Sequence, residues 1–175
     1  IPPTLAELKT NLAKDWKIVD DGDLTKMFRT LGSVKVQVSF HCQDAVQVED
    51  EYLEEGAEAE DEAAAPVRFT VIATKAGKSL VLTCISEDAT ARIQSVAITT
   101  EDIDTILTNS GVMSNQYQGP DFEELAEDLQ DAFSVYLTED VGLNEDVASF
   151  VAMYADYKEQ TKYVEFMKDA QALLD

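Results

Sequence analysis

Leu5, Leu8 and Leu12 recur at helical spacing near the start of the chain and share one face. Pro3-Thr4-Leu5-Ala6-Glu7 predicts where this helix begins: Thr4 can accept from the Glu7 amide while the Glu7 carboxylate reaches back to the Thr4 amide. Three turns are marginal in water, so the helix needs a partner. From Trp16 the period changes. Residues 16–19 and 24–31 predict strands on either side of the turn Asp20-Asp21-Gly22-Asp23, ending at Gly32. Over residues 33–40 the alternation is clean, with Val34, Val36, Val38 and Phe40 on one face and Ser33, Lys35, Gln37 and Ser39 on the other. That is the pattern of a half-buried antiparallel strand. Residues 67–75 and 79–86 predict two more, joined at Ala76-Gly77, and residues 92–100 another. Residues 101–119 leave room for one further short strand.

The end of the chain changes period again. After Gly119-Pro120, Asp121 is placed to cap a helix with Glu124 three residues on, and Phe122, Leu125, Leu129, Ala132, Phe133, Tyr136 and Leu137 follow a 3.6-residue period up to Gly142. Asn144 caps the next helix. Its apolar stripe runs through Val147, Phe150, Val151 and Tyr154 to Tyr163, Phe166, Met167, Ala170, Leu173 and Leu174. Helix, six or seven strands, then two helices is the segregated order of an α+β domain, and 175 residues suit a single domain, 1–175. Nothing approaches 18 uninterrupted apolar residues, so no membrane span is readable.

Between these elements, residues 43–66 hold ten acids and no base around an Ala/Glu-rich centre. A connection of this length and composition is expected to be disordered. It also polarises the chain. The net charge is -22, yet residues 1–42 sum to +1 and residues 43–175 to -23. Such a field repels polyanions and attracts basic proteins, with each charge felt over only about 8 Å at cellular salt.

Motifs for chemistry are few. Lys75-Ala76-Gly77-Lys78-Ser79 carries the tail of a phosphate loop, but the earlier glycine would fall at Ile72, so a hairpin turn is expected. Asp20, Asp21 and Asp23 around Gly22 do not match a calcium loop, whose first ligand would be Lys17. His41 is the only histidine, and a metal or nucleophilic site needs further partners; a hydrolase would require it to meet two carboxylates in a cleft. Cys42 and Cys84 sit in apolar strand-like runs, where free buried thiols are expected. Nothing calls for a catalytic residue, metal or cofactor. Chemistry by contact remains: Glu49, Asp50, Glu51, Glu54, Glu55, Glu58, Glu60, Asp61 and Glu62, together with Asp121, Glu123, Glu124, Glu127, Asp128 and Asp131, form the candidate docking surface for basic protein segments. A competing reading makes Lys9, Lys14, Lys17, Lys26, Arg29 and Lys35 a local patch that contacts RNA directly, against repulsion from the rest of the chain.

Several strings in joint order carry a resemblance over nearly the whole chain. They are Ser33 to Phe40 followed at once by the acidic tract, Lys78-Ser79-Leu80-Val81-Leu82-Thr83-Cys84, and an ending that runs from Tyr117 through Gly119-Pro120-Asp121-Phe122, Asp128-Leu129-Gln130, Tyr136-Leu137 and Lys158-Glu159 to Tyr163-Val164-Glu165-Phe166-Met167. The chain resembles the mitochondrial acidic matrix protein family, also called the mitochondrial glycoprotein family, which includes the receptor for the globular heads of the first complement component. Where that family often has Arg-Gly after the Tyr-Leu pair, this chain reads Thr138-Glu139-Asp140-Val141-Gly142. The resemblance implies about seven consecutive antiparallel strands in a twisted sheet, one N-terminal and two C-terminal helices, and a ring-shaped homotrimer. It also implies a matrix address on a removed presequence, consistent with a first residue that is Ile rather than Met. The implied function is that of an adaptor or chaperone-like factor in mitochondrial gene expression, including ribosome function, translation and RNA processing. Leu5, Leu8 and Leu12 are then expected to pair with part of the Tyr163, Phe166, Met167, Leu173 and Leu174 stripe, with Trp16 a subunit or helix-packing anchor or an ordinary core residue.

Overall fold

The computed structural model describes residues 1–46, 64–104, 117 and 119–174. One antiparallel sheet contains six strands in sequential order: β1 (Lys17–Asp21), β2 (Leu24–Leu31), β3 (Val34–His41), β4 (Val67–Lys75), β5 (Lys78–Glu87) and β6 (Thr90–Thr99). Neighbours in space are neighbours in sequence, so every pairing except β3 with β4 closes a short loop. At the β4–β5 turn Ala76 and Gly77 both take positive φ, 49° and 75°, the conformation that matches the twist of the flanking strands. The lysine-glycine string is therefore a hairpin.

The alternation along β3 fixes the register. Val36 and Val38 lie opposite Ala73 and Val71 and, with Phe40, join a core that includes Phe69, Leu82 and Cys84, while Lys35, Gln37 and Ser39 lie on the opposite face. Gln37 and Ser39 are themselves buried, so the centre of β3 is covered on both faces rather than half-buried as its alternation predicts. A slip of one residue would put Gln37 and Ser39 into the apolar core, so the apolar set still specifies the pairing. The other face carries a small second cluster of Ile72, Val81 and Ala97, against which Ile103 packs.

Among the described residues, the helices α1 (Pro3–Leu12), α2 (Glu127–Val135) and α3 (Glu145–Leu174) accompany the sheet. Asn144 caps α3 as the sequence predicts, its side-chain oxygen accepting from the Val147 amide at 3.1 Å. The first half of α3 buries Val147, Ala148, Phe150, Val151, Tyr154 and Ala155. Phe150 meets Phe40 of β3 edge-on at 6.4 Å and stacks on Tyr154 at 4.9 Å. Further along, Lys158 donates to the Leu24 carbonyl and the Thr25 hydroxyl of β2. Thirty residues make a helix about 45 Å long, well beyond the width of six strands, so its C-terminal half overshoots the sheet.

Four expectations are corrected. The Thr4–Glu7 capping box does not form, because the proline-led helix starts two residues earlier, with Pro2 as its cap residue and no side-chain cap bond. Asp121 does not cap a long helix: its backbone bridges to Ser95 of β6, a 3-10 turn follows over Phe122–Glu124, Leu125 is extended, and α2 begins only at Glu127. Beyond α2, Tyr136–Asp140 widens into a π turn. Six consecutive antiparallel strands stand among the described residues, as the alternation predicts, while the further short strand expected within residues 101–119 falls mostly outside the described residues, and Asp121 bridges to Ser95 of β6. Within the chain, Leu5 and Leu12 enter the main core while Tyr163, Phe166, Met167, Leu173 and Leu174 stay exposed, so the two stripes do not pair. The partner of α1 is the middle of α3, where Lys9 donates to the Tyr154 hydroxyl at 2.9 Å and lies over its ring. Trp16 is a buried core residue.

Candidate functional site

The acidic segment 121–131 is held by its apolar residues and leaves its carboxylates outside. Phe122 is buried and meets Phe133 edge-on at 6.5 Å, Leu125 packs against the main core, and the Gln130 amide donates to the carbonyls of Glu123 and Leu125 at 3.2 and 2.8 Å. With that side anchored, Asp121, Glu123, Glu124, Glu127, Asp128 and Asp131 are all exposed. Glu127 and Asp128 stand in the first turn of α2, where the helix dipole favours negative charge.

None of these six forms an ion pair among the described residues. The paired acids lie elsewhere: Asp20 with Lys9 and Lys158, Asp21 with Lys26, Asp23 and Glu165 with Lys162, and Glu87 with Arg92. The ion-paired cations among the described residues, Lys9, Lys26, Arg92, Lys158 and Lys162, thus lie near the β1–β2 hairpin, along α3 and at the β5–β6 turn. The acids Glu49, Asp50, Glu51, Glu54, Glu55, Glu58, Glu60, Asp61 and Glu62, expected to be disordered, lie outside the described residues. The ends of that tract are tied together: the Val46 amide donates to the Pro66 carbonyl at 2.7 Å, the Arg68 amide to the Asp44 carbonyl at 2.9 Å, and Ala45 bridges to Val67. The expected disorder over 43–66 does not extend to these ends.

The six bases proposed for RNA are not brought together. Lys9 is bound to Tyr154 and faces Asp20 at 3.8 Å, Lys14 donates to Asn11, and Lys26 pairs with Asp21 at 2.8 Å. Arg29 lies on the helix-facing side of β2, over the Trp16 ring at 5.6 Å. Register puts Lys17, Lys26 and Lys35 on the opposite side. The sheet itself separates Arg29 from the three lysines.

His41 serves its own turn: Nδ1 accepts from the Gln43 amide at 3.1 Å, and its backbone amide donates to the Asp44 carboxylate. Among the described residues, no three His, Cys, Asp or Glu side chains are grouped to hold a metal ion. Both cysteines are free and buried, and burial pushes the Cys84 thiol up to about 12. No described helix is long and apolar enough to cross a membrane.

One grouping escaped the sequence patterns. Asp23, Cys42, Asp156 and Glu159 share a groove between the sheet ends and α3. Separated along the chain and bracketed by unrelated periodicities, they leave no local signal.

Solved structures share this architecture. A protein of unknown function from Leishmania major, described as a sequence homologue of the human p32 protein, superposes with a TM-score of 0.71 at 14% identity, covering 98% of this chain and 97% of that one. The Trypanosoma brucei p22 protein superposes with a TM-score of 0.60 at 19% identity, covering 94% and 93%. At these identities the likeness is one of fold. The sequence model of the mitochondrial glycoprotein family matches residues 2–174. The chain therefore belongs to the mitochondrial glycoprotein family, a family of acidic mitochondrial proteins that bind other proteins.

Proposed function

We propose that the protein is a non-enzymatic, multi-partner binding protein of the mitochondrial matrix. It docks basic segments of other proteins, acting as an adaptor or chaperone-like factor in mitochondrial gene expression, through ribosome function, translation and RNA processing. The observation that carries this reading is the row of exposed carboxylates from Asp121 to Asp131, none neutralised by a cation among the described residues. Single surface charges contribute little, so affinity comes from many weak contacts made at once. A homotrimer supports the same reading, because three copies of the surface turn weak docking into avid binding. Exposed Tyr163, Phe166, Met167, Leu173 and Leu174 supply apolar area for self-association. RNA recovered with the protein would arrive through a basic partner, since the six N-terminal bases are divided between the faces of the sheet.

The test is the anisotropy of a labelled lysine- and arginine-rich peptide titrated with the full chain at 50 and 200 mM salt. Binding should weaken steeply with salt, and a variant with Asp121, Glu124, Asp128 and Asp131 all changed to the amides should bind less tightly. Affinity indifferent to salt would reject the reading. Mass spectrometry of proteins and RNA recovered with the intact chain, against a deletion of residues 49–62, then separates an adaptor from a direct RNA binder.

A further inference from the structure

The central strands of the sheet run through a part of the chain that acids avoid. Residues 24–43 and 67–86 hold six bases and no acid, in a chain with 35 acids and 13 bases. Three of the six are engaged: Lys26 pairs with Asp21, Arg29 lies over the Trp16 ring, and Arg68 donates to Gln94. Lys35, Lys75 and Lys78 remain, all exposed and in no ion pair among the described residues.

Strand register gathers these three lysines at one end of the sheet. Lys75 and Lys78 are direct cross-strand partners, the last pair of β4 and β5 before the turn, and Lys35 of β3 lies opposite Thr74, the residue next to Lys75. Side chains opposite one another on an antiparallel pair have Cβ atoms about 5 Å apart, and like charges at that spacing destabilise the hairpin. Glu101 and Asp102 follow β6 at the same end, yet no ion pair among the described residues joins either to the lysines. The hairpin thus keeps an unfavourable charge pair at an exposed tip, where an acid from outside the chain would relieve it.

The acidic surfaces lie too far off to cancel this field. Asp121 bridges to Ser95, whose partner on β5 is Thr83, five residues from Lys78 and so about 17 Å along the strand. Glu87 ends β5 about 30 Å from Lys78. Screening at cellular salt acts over about 8 Å, so a short anion at the tip feels the lysines and not the excess of negative charge. A long polyanion laid across this end would run onto those acids, whereas a short segment stops at the tip. We propose that the β4–β5 tip, with Lys35 beside it, docks a short carboxylate-rich segment of a partner protein. The molecule then holds basic segments at one surface and an acidic one at another, which two-ended bridging requires.

The experiment titrates a labelled 12-residue glutamate-rich peptide with the full chain at 100 mM salt, where the screening length is about 10 Å, and reads anisotropy. Lys78→Glu turns the like-charged pair with Lys75 into an opposite-charged one. Arg68→Glu makes the same charge change near the far end of the same hairpin. Lys78→Glu should weaken the acidic peptide by about tenfold while raising the urea midpoint of unfolding, and Arg68→Glu should shift affinity by no more than about twofold. Lys78→Gln, which removes the charge without reversing it, should fall between them. Binding of a lysine- and arginine-rich peptide should stay the same in Lys78→Glu. If Lys78→Glu and Arg68→Glu weaken the acidic peptide alike, the contact is the diffuse charge of the sheet and the proposal falls. If a 12-nucleotide oligouridylate binds the wild type more tightly than the peptide and is lost in Lys78→Glu, the lysines serve nucleic acid and the proposal is overturned. A lower mass of Lys78→Glu in sedimentation velocity would assign them to a second copy of the chain, and failure of the wild type to bind the acidic peptide would end the proposal outright.

Discussion

The phenolic hydroxyl of Tyr154, midway along α3, donates to the Asp20 carboxylate at the end of β1 over 2.7 Å. Around this bond gather Lys158 and Thr25, both donating to the other carboxylate oxygen at 3.0 Å, and Lys9, which reaches the Tyr154 hydroxyl from α1. One carboxylate thus ties both terminal helices to the edge of the sheet. Burial disfavours its charge, but hydrogen bonds from Tyr154 and Lys158, the Lys158 charge and the Thr25 hydroxyl outweigh that, and its pKa falls below the ordinary value of 3.8. A lowered carboxylate pKa stabilises the folded chain above the unfolded value and stops doing so as pH falls through the folded one. Tyr154→Phe should cost about 1–2 kcal/mol and Asp20→Asn about 1 kcal/mol at pH 7, the latter held down by the partial exposure of the group. Urea unfolding followed by circular dichroism should find the Asp20→Asn deficit steady from pH 7 to about pH 5 and closing below 3.8. A deficit that persists unchanged at pH 2.5 would mean that packing, not the ionised tie, is what the substitution removes.

Helix α3 divides into a half that holds the fold and a half that does not. Phe150→Ala, at a side chain 0% exposed in the first half of α3, should cost about 3–5 kcal/mol through the cavity it leaves. Leu174→Ala, 87% exposed, should leave the unfolding midpoint of a dilute sample unchanged. On the proposed self-association through these side chains, the double change Phe166→Ser, Met167→Ser should instead lower the mass seen by sedimentation velocity, and an unchanged mass would place that surface elsewhere. Unfolding curves and sedimentation of the same three variants distinguish the two halves.

How far these features are legible in sequence depends on the range of the interaction that fixes them. The alternation of Val34, Val36, Val38 and Phe40 declares β3 because side chains bound for one face of a strand repeat every two residues, although the polar set between them does not tell that Gln37 and Ser39 are buried as well. Asn144 declares the start of α3 because capping is local, and the lysine-glycine turn is legible for the same reason. Thr4 and Asp121 mislead, since each has a capping pattern that a stronger neighbour overrides: the rigid ring of Pro3 in one case, a backbone bridge to Ser95 in the other. The exposed acids from Asp121 to Asp131 are readable because their apolar anchors, Phe122 and Leu125, keep a readable spacing. The Glu159 groove is not, since only the passage of α3 over the hairpin ends brings Asp23, Cys42 and Glu159 together. The division of the six N-terminal bases follows likewise from β2 register, which sends Lys26 and Arg29 to opposite faces.

Gly119 holds the segment entering the acidic face against β6. Its φ is +77°, and a side-chain carbon built there would run into the Val96 carbonyl oxygen, a backbone atom that cannot rotate away. Gly119→Ala should therefore displace the neighbouring Ser95–Asp121 bridge. Hydrogen exchange by mass spectrometry should show faster exchange over residues 119–125 with β3 and β4 unaffected, and binding of a basic peptide should weaken although no charge has changed. Uniform acceleration across the whole sheet would indicate global destabilisation instead of a local release.

The two thiols should report opening of the structure at different depths. Cys84 is fully enclosed in the main core, its thiol pushed up to about 12 by burial alone. At pH 8 a thiol with that value is thiolate only about one part in ten thousand, and alkylation needs both thiolate and access. The Cys42 thiol is raised as well, by burial first and then by the charge of Asp23, but it lies at the groove between α3 and the sheet ends instead of inside the sheet core. Iodoacetamide at pH 8, with each site followed by peptide mass spectrometry, should modify Cys42 first and Cys84 only at the rate of global unfolding. Added urea below the transition should accelerate Cys42 smoothly, as local opening of α3 becomes easier, while Cys84 stays protected until the sheet itself unfolds. Equal rates at the two positions in native buffer would mean that the core around Cys84 opens as readily as the groove, which six paired strands and the packed first half of α3 do not permit.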